Sequence, residues 1–389
     1  MTFIEQLLNG ENVEWKPLGE VCIQISGMRG VSNKWADNGN CRFIDYLNAY
    51  KNIKIDINAL PYATVKKLDQ TELQQGDILF TSASETPDEC AISSVIEGKI
   101  GNGIFLDDHL FGIRIREVYK DAIDSVFLNY YFHSPDFRKV VNKTVRGVTR
   151  FYISKVAFMK LSIPLPPLSV QHRIVEILDK FTALEAELEA ELDCRKRQYE
   201  YYRNQLLSFD MLNKGGQRLN DVKIVKLKDV CTLTRGKRLT KRDLDINGIY
   251  PVYHGGIEPI GYYNQSNRKA NSTMIINVGA SAGTVGYSAN DFWSSDGCFC
   301  FSHNEQLNQK YLYYWLQNIE TFIKSKVRKA GIPTLDNKVL ENIKIPLPPL
   351  SVQHRIVEIL DKFTELEAEL DCRKRQYEYY RNQLLSFTP

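Results

Sequence analysis

From residue 163 the apolar positions fall into a helical rhythm, and the same rhythm returns from residue 345. Residues Ile163 to Thr182 read IPLPPLSVQHRIVEILDKFT, and Ile345 to Thr364 read the same. Ala183 then faces Glu365, and LEAEL follows in both copies. The first copy alone inserts EAEL, Glu189 to Leu192. DCRKRQYEYYRNQLLSF closes both copies, at Asp193 to Phe209 and Asp371 to Phe387, so 42 of 43 aligned positions are identical. Each copy opens on a Pro-rich turn, and a helix begins only beyond it, because proline lacks a donor and restricts the residue before it. Ser169 is the natural N-cap of the first helix, and Ser351 starts the second. About 41 residues free of Pro and Gly follow in the first copy, a rod of ~60 Å. In the second copy Ile356, Ile359, Phe363, Leu366, Leu370, Tyr377, Tyr380, Leu384 and Phe387 keep a 3–4 alternation that Arg373 interrupts. Such a seam calls for a partner helix, so two near-identical rods are read as pairing with each other. The four-residue insertion is a stutter in the first rod.

Outside the rods the pattern shifts to short β-like runs between turns. Gly76 to Phe80 and Thr273 to Asn277 read as strands, and Cys298-Phe299-Cys300-Phe301 as a buried one. Helical patterns follow at 124–141 and 307–328. Each globular region is therefore α+β with a mostly antiparallel sheet. The two echo each other only faintly: Val13 to Cys22 lines up with Val222 to Cys231, and Phe127 to Phe132 with Tyr311 to Leu316. One shared task for the rods and two different tasks for the globular parts follow from that contrast. The boundaries are a first globular domain over 1–155, a first rod over 156–209, a polar, turn-rich linker over 210–221, a second globular domain over 222–338 and a second rod over 339–389.

Composition excludes disorder, since 43% of residues are apolar and 25% charged. The eight cysteines form no CxxC pair, which points to a reduced, cytosolic setting rather than a zinc site. The N-terminus has no signal-peptide pattern, and no run of 18 apolar residues occurs. Net charge is only +3, but its distribution matters. Region 222–338 holds 16 basic and 9 acidic residues, whereas 14–155 holds 18 of each. Within 138–155, Arg138, Lys139, Lys143, Arg146, Arg150 and Lys155 stand with no acid between them. The second region has one cluster of Arg235, Lys237, Arg238, Lys241 and Arg242, and another of Lys324, Lys326, Arg328 and Lys329. Interleaved with glycines, Thr and Tyr, such clusters suit phosphate contact and base reading; a merely solvated face is the alternative. The Arg-Lys-Arg runs at 195–197 and 373–375 are offset by neighbouring Glu and read as a coiled-coil flank or partner surface.

Catalytic motifs are weak. Val278 to Gly286 is glycine-rich but lacks the Gly-Lys-Ser/Thr ending of a phosphate loop, so it reads as a tight turn. Pro87-Asp88 with Glu97-Gly98-Lys99 matches a short nuclease pattern in which two carboxylates hold Mg²⁺. His172 and His354, copies of one position, suit structural or partner contact. His254 is either a base reader or a turn residue.

Globular domain, IPLPPL turn and long helix, repeated once, resembles the specificity subunit of Type I restriction–modification systems. Carrying the resemblance are Glu14-Trp15…Leu18-Gly19-Glu20-Val21, Gly147-Val148-Thr149-Arg150, both Gln-His-Arg-Ile-Val-Glu-Ile-Leu-Asp-Lys-Phe stretches and both Leu-Leu-Ser-Phe endings. It implies a non-catalytic chain whose two globular parts are target-recognition domains, separated by an antiparallel coiled coil with pseudo-two-fold symmetry. Each domain would read one half of an asymmetric, split double-stranded DNA site. Partners implied are two methyltransferase subunits, which bind S-adenosylmethionine, and restriction subunits using ATP and Mg²⁺; this chain itself holds no cofactor or metal. The second domain departs from the family's Gly-x-Thr-Arg loop, having Lys329-Ala330-Gly331-Ile332-Pro333-Thr334. Candidate DNA-contacting residues are Arg29, Asn33, Lys34, Lys143, Arg146, Thr149 and Arg150 in the first domain. In the second they are Arg235, Lys237, Arg238, Lys241, Arg242, His254, Ser281, Arg328, Lys329 and Thr334. The rods serve as a ruler, because four helical residues add ~6 Å against roughly 3.4 Å per base pair. Rival readings are a self-contained nuclease using Asp88, Glu97 and Lys99, and a coiled-coil scaffold without DNA.

Overall fold

The computed structural model describes residues 3–58, 60–66, 70–208 and 222–387; the linker expected at 210–221 lies outside them. The chain forms two compact units, residues 1–188 with 372–389 and residues 189–371. Among the described residues no helix is long and apolar enough to cross a membrane.

The first unit is built on a four-stranded antiparallel sheet in the order Cys22–Ser26, Leu110–Ile115, Ile78–Thr81, Ser93–Val95. A second sheet orders Val31–Lys34, Tyr62–Val65, Cys41–Ile44 and Ile104–Leu106, the last pairing being parallel. Phe80, Phe111, Phe132, Phe137 and Phe158 interlock at centroid distances of 4.8 to 6.4 Å, filling the space between sheet and helices. The second unit repeats the principal sheet with Leu233–Arg235, Cys298–Phe301, Ser272–Ile276 and Val285–Ser288 in the same order. Its other sheet, Gly261–Tyr263, Tyr250–Tyr253 and Trp293–Ser294, contains a second parallel pairing. Among the described residues all other strand ladders are antiparallel.

Each Pro-rich turn forms half of a ladder that closes its unit. Ser162–Leu165 pairs with Glu14–Pro17, and Lys344–Leu347 with Lys223–Lys226. The long helices span Leu168–Leu206, 39 residues, and Leu350–Leu384, 35 residues; their difference matches the inserted EAEL. Both start one residue before the serine expected as cap. The carbonyl of Pro167 accepts from Val170 and Gln171, and that of Pro349 from Val352 and Gln353, so the serines lie inside the first turn.

In the first unit Ile174 and Leu178, near the start of one long helix, share a core with Leu384, Leu385 and Phe387 at the end of the other. In the second unit Leu207 shares a core with Ile356, Val357 and Leu360. A helix start meeting a helix end makes the pairing antiparallel within each unit. Phe181 stacks on Tyr377 at 5.5 Å, and the repeat-equivalent Phe363 meets Tyr199 at 6.4 Å and Tyr202 at 5.5 Å. The seam is not apolar throughout: Leu366 and Tyr380, expected in it, are exposed. Burial concentrates where each helix meets its globular part.

There the repeated residues make repeated bonds. Gln171 is fully buried; its Nε2 donates to the carbonyls of Pro166 (2.7 Å) and Ala122 (2.9 Å), and its Oε1 accepts from the Asp124 N–H (2.8 Å). Gln353, equally buried, donates to Pro348 (2.8 Å) and Gln306 (2.9 Å) and accepts from Asn308 (2.9 Å). Asp124 and Asn308 are the N-caps of Ser125–Phe132 and Gln309–Asn318. Two turns further on, Asp179 accepts from the Tyr130 hydroxyl at 2.7 Å and Asp361 from the Tyr314 hydroxyl at 2.5 Å. Lys54 and Lys310 complete the two joints with ion pairs to Asp179 (3.0 Å) and Asp361 (2.8 Å).

Candidate nucleic-acid interface

In the first unit Gly147-Val148-Thr149-Arg150 is the turn of a hairpin whose strands are Val145–Gly147 and Phe151–Ile153. Gly147 has φ +133°, and a Cβ there would lie 2.0 Å from the Arg150 carbonyl oxygen, so the turn needs glycine. The hairpin is anchored by Phe151–Ile153 pairing with Ala83–Ser84, whose Ala83 carbonyl accepts from the Tyr46 hydroxyl at 3.2 Å. Arg146, Thr149 and Arg150 are exposed on it, and Lys143 is exposed just ahead of it. Arg29 and Asn33 are exposed on and beside Val31–Lys34. Burial, and secondarily the positive charge of Arg29, lowers the pKa of Lys155, which brings Arg29 into the neighbourhood of the basic run.

Two basic residues are engaged within the fold. Lys34 is ion-paired to Asp107 at 3.1 Å and to Asp108, so two carboxylates already answer its charge. Arg138, part of the acid-free run, turns inward and donates to the carbonyls of Ala91 (2.9 Å), Asp88 (2.7 Å) and Cys90 (2.6 Å). It fixes the turn Pro87–Glu89 against the helix Pro135–Asn142, and its burial lowers its pKa. Sequence spacing cannot distinguish such an arginine from a solvent-facing one.

In the second unit Arg235, Lys237 and His254 converge on the turn Ser294-Ser295-Asp296. Arg235 Nε donates to the Asp296 carbonyl (2.7 Å), the Lys237 N–H to Ser294 (3.0 Å), and His254 Nδ1 lies 3.1 Å from Ser295 Oγ. Gly236 permits this approach, since a Cβ would meet the Ser294 and Ser295 carbonyl oxygens at 2.2 Å. Arg238, Lys241 and Arg242 are exposed on the following segment, where Thr240 and Asp243 cap a short 3₁₀ turn. The residues Lys329 to Thr334, which depart from Gly-x-Thr-Arg, nevertheless form a hairpin-like turn. Arg328 and Thr334 exchange both backbone hydrogen bonds (2.9 and 3.1 Å), and Gly331 takes φ +79°. This turn is tied to the glycine-rich segment by Gly279 N–H donating to Pro333 (2.9 Å) and Leu335 N–H to Asn277 (2.8 Å). Ser281, Lys324, Lys329 and Pro333 line one hollow between them. The two groups adjoin: the Asn277 N–H donates to Gly297, which packs on the His254 ring. Val278 to Gly286 is thus a hairpin loop with Gly279 and Gly283 at positive φ, not a nucleotide cradle.

The two carboxylates of the nuclease pattern are engaged elsewhere. Asp88 accepts from Asn142 Nδ2 at 2.5 Å, and Glu97 pairs with Lys54 at 2.8 Å. Among the described residues the one group of three potential metal ligands is Asp107, Asp108 and His109, on whose carboxylates Lys34 already sits. His172 is exposed, its Nε2 3.6 Å from Asp124. What sequence reasoning missed is the neighbouring glutamine, because an isolated Gln in a polar helix carries no periodic signal.

The family model for the Type I restriction modification DNA specificity domain matches twice, over residues 10–193 and 220–376. A Haemophilus influenzae protein named as a type I restriction enzyme specificity subunit is 30% identical over 420 residues, covering 100% of this chain and 99% of its own. The EcoR124I/EcoR124II specificity subunit of Escherichia coli is 29% identical over 422 residues, covering 100% and 97%. The crystal structure of a Type I S subunit from M. genitalium superposes with a TM-score of 0.67 at 17% identity, covering 98% of each chain. The chain belongs to the Type I restriction–modification DNA specificity family. It is accordingly a DNA-recognition subunit, and the catalytic steps belong to other chains.

Proposed function

We infer that each globular domain reads one half of a split, asymmetric sequence in duplex DNA, while the long helices fix the spacing and dock two methyltransferase subunits. Restriction subunits complete the assembly, and S-adenosylmethionine, ATP and Mg²⁺ are used by those partners. The target-recognition domains are residues 1–155 and 222–338, and the chain works in the cytoplasm, a placement supported by eight free cysteines.

The observation that carries this reading is the repeated joint. Identical rods hold two different domains through the same bonds, Gln171 with Asp124 and Gln353 with Asn308. Both domains present a turn rich in cations and hydroxyls at the corresponding place in the chain, just ahead of the short helix and strand that lead into the long helix. For the first, the contacting residues are Arg29, Asn33, Lys143, Arg146, Thr149 and Arg150; for the second, Arg235, Lys237, Arg238, Lys241, Arg242, His254, Ser281, Arg328, Lys329 and Thr334. Arginines would pair with guanine and Asn33 with adenine in the major groove, with the lysines on phosphates. Lys34, neutralised by Asp107 and Asp108, contributes least.

Exchange of residues 222–338 for those of a relative with a different target tests this. The hybrid, assembled with the partner subunits, should keep one half-site and acquire a new second half. A change in both halves, or in neither, contradicts it.

A further inference from the structure

The hairpin that carries Arg150 borders a hollow of about 850 Å³. Tyr46, Ser84, Glu85, Glu89, Thr149 and Arg150 line it. Two carboxylates beside the expected DNA-contacting turn are out of place for phosphate binding, because a phosphate would be repelled by both. They differ in what they do. Glu89 accepts from the Tyr50 hydroxyl at 3.0 Å and from Ser84 Oγ at 2.8 Å, so both its oxygens are engaged. Those hydrogen bonds hold its pKa below the usual carboxylate range. Glu85 is exposed and makes no hydrogen bond or ion pair among the described residues. The ladder pairs Phe151 with Ser84 and Tyr152 with Ala83 and ends there; Arg150 and Glu85, the residues flanking its end on the two strands, both line the hollow.

The fold does not demand acid here. In the second unit the hollow beside the corresponding turn is lined by Ala280, Ser281, Ala282 and Thr284, with Lys324 and Lys329. The carboxylate is therefore particular to the first domain, as a determinant of one half-site would be.

We propose that Glu85 is a base-reading residue of the first domain, accepting a hydrogen bond from the exocyclic amino group of a cytosine or adenine in the major groove. A carboxylate offers only acceptors, so the keto oxygens of guanine and thymine at that position are repelled rather than bonded. Arg150, lining the same hollow, supplies the cation that holds the acid at the polyanion. This assignment rests on the DNA-reading function proposed above.

The test uses the complete chain co-expressed with its modification subunits, comparing wild type, Glu85→Gln and Glu85→Ala by methylation-motif mapping. In Glu85→Ala one position of one half-site should become degenerate, with discrimination there falling about tenfold, and in Glu85→Gln, whose amide pairs with adenine, a cytosine at that position should give way to adenine, while the other half-site stays unchanged. An unchanged motif in both variants overturns the assignment. So does uniformly weaker modification of the same motif, the signature of a merely structural glutamate. If wild type itself directs no split motif, the underlying function fails and the assignment falls with it; that outcome is visible before any variant is compared.

Discussion

Gln171 accepts a hydrogen bond from the backbone N–H of Asp124 at 2.8 Å, joining the first turn of a long helix to the cap of a domain helix. Replacing it with Ala leaves two carbonyls and one N–H without their partner in a dry joint, a loss of about 3 kcal/mol. Gln171→Ala should speed hydrogen exchange in Ser125–Phe132 and leave Gln309–Asn318 protected; Gln353→Ala should do the reverse. Equal effects on both helices would contradict independent joints.

The second joint bond is weaker by itself. Tyr130→Phe removes the hydroxyl from Asp179, yet Lys54 still pairs with that carboxylate at 3.0 Å. A loss of about 1 kcal/mol in urea unfolding is expected, and Tyr314→Phe should match it because Lys310 holds Asp361 in the same way.

Deleting Glu189 to Leu192 makes the two rods equal and removes about 6 Å of helix. The unread spacer of the target should shorten by about one or two base pairs, with both half-sites unaltered. Methylation mapping of the deletion variant checks this; an unaltered spacer would refute the ruler.

Arg150→Ala and Arg238→Ala separate base readers from phosphate contacts. A base reader relaxes one half-site, whereas a phosphate contact weakens all sequences alike and lowers the salt dependence by about one unit of slope. Lys34→Ala should change neither, given its two acidic partners. Binding titrations across salt concentrations read all three.

His133 donates through Nε2 to the Ser93 carbonyl at 2.8 Å, and burial pushes its pKa down to about 4. The unfolded chain takes up that proton near pH 6.5, so it binds more protons than the folded one between those values. Stability of the first unit should therefore fall as pH drops from 6.5 towards 4, by roughly 3 kcal/mol from this group. His133→Gln should flatten that limb of the pH–stability curve.

The rods were legible in the sequence because 42 of 43 repeated positions announce them and no Pro or Gly interrupts them. Their pairing was legible too, from the apolar seam, but not its concentration at the ends. Leu366 and Tyr380 fit the spacing yet remain exposed, since burial there depends on how far each globular part reaches along the helix. Ser169 and Ser351 lost the cap because the proline carbonyl two residues earlier is already in place to accept. Charge clustering found the Arg146–Arg150 turn and the Arg235–Arg242 segment, but it could not exclude Arg138, whose partners are three backbone carbonyls some 50 residues away. Nor could it point to Glu85, because a search for cations passes over an acid that only the fold brings to the same hollow as Arg150.

The proposed role of this chain is to confer a split DNA specificity on its partners. Single-molecule mapping of adenine methylation, in the host with and without this gene, is the decisive measurement. An asymmetric bipartite motif methylated only when the gene is present is the expected result. Active partner subunits combined with a methylation pattern that ignores the gene would contradict it.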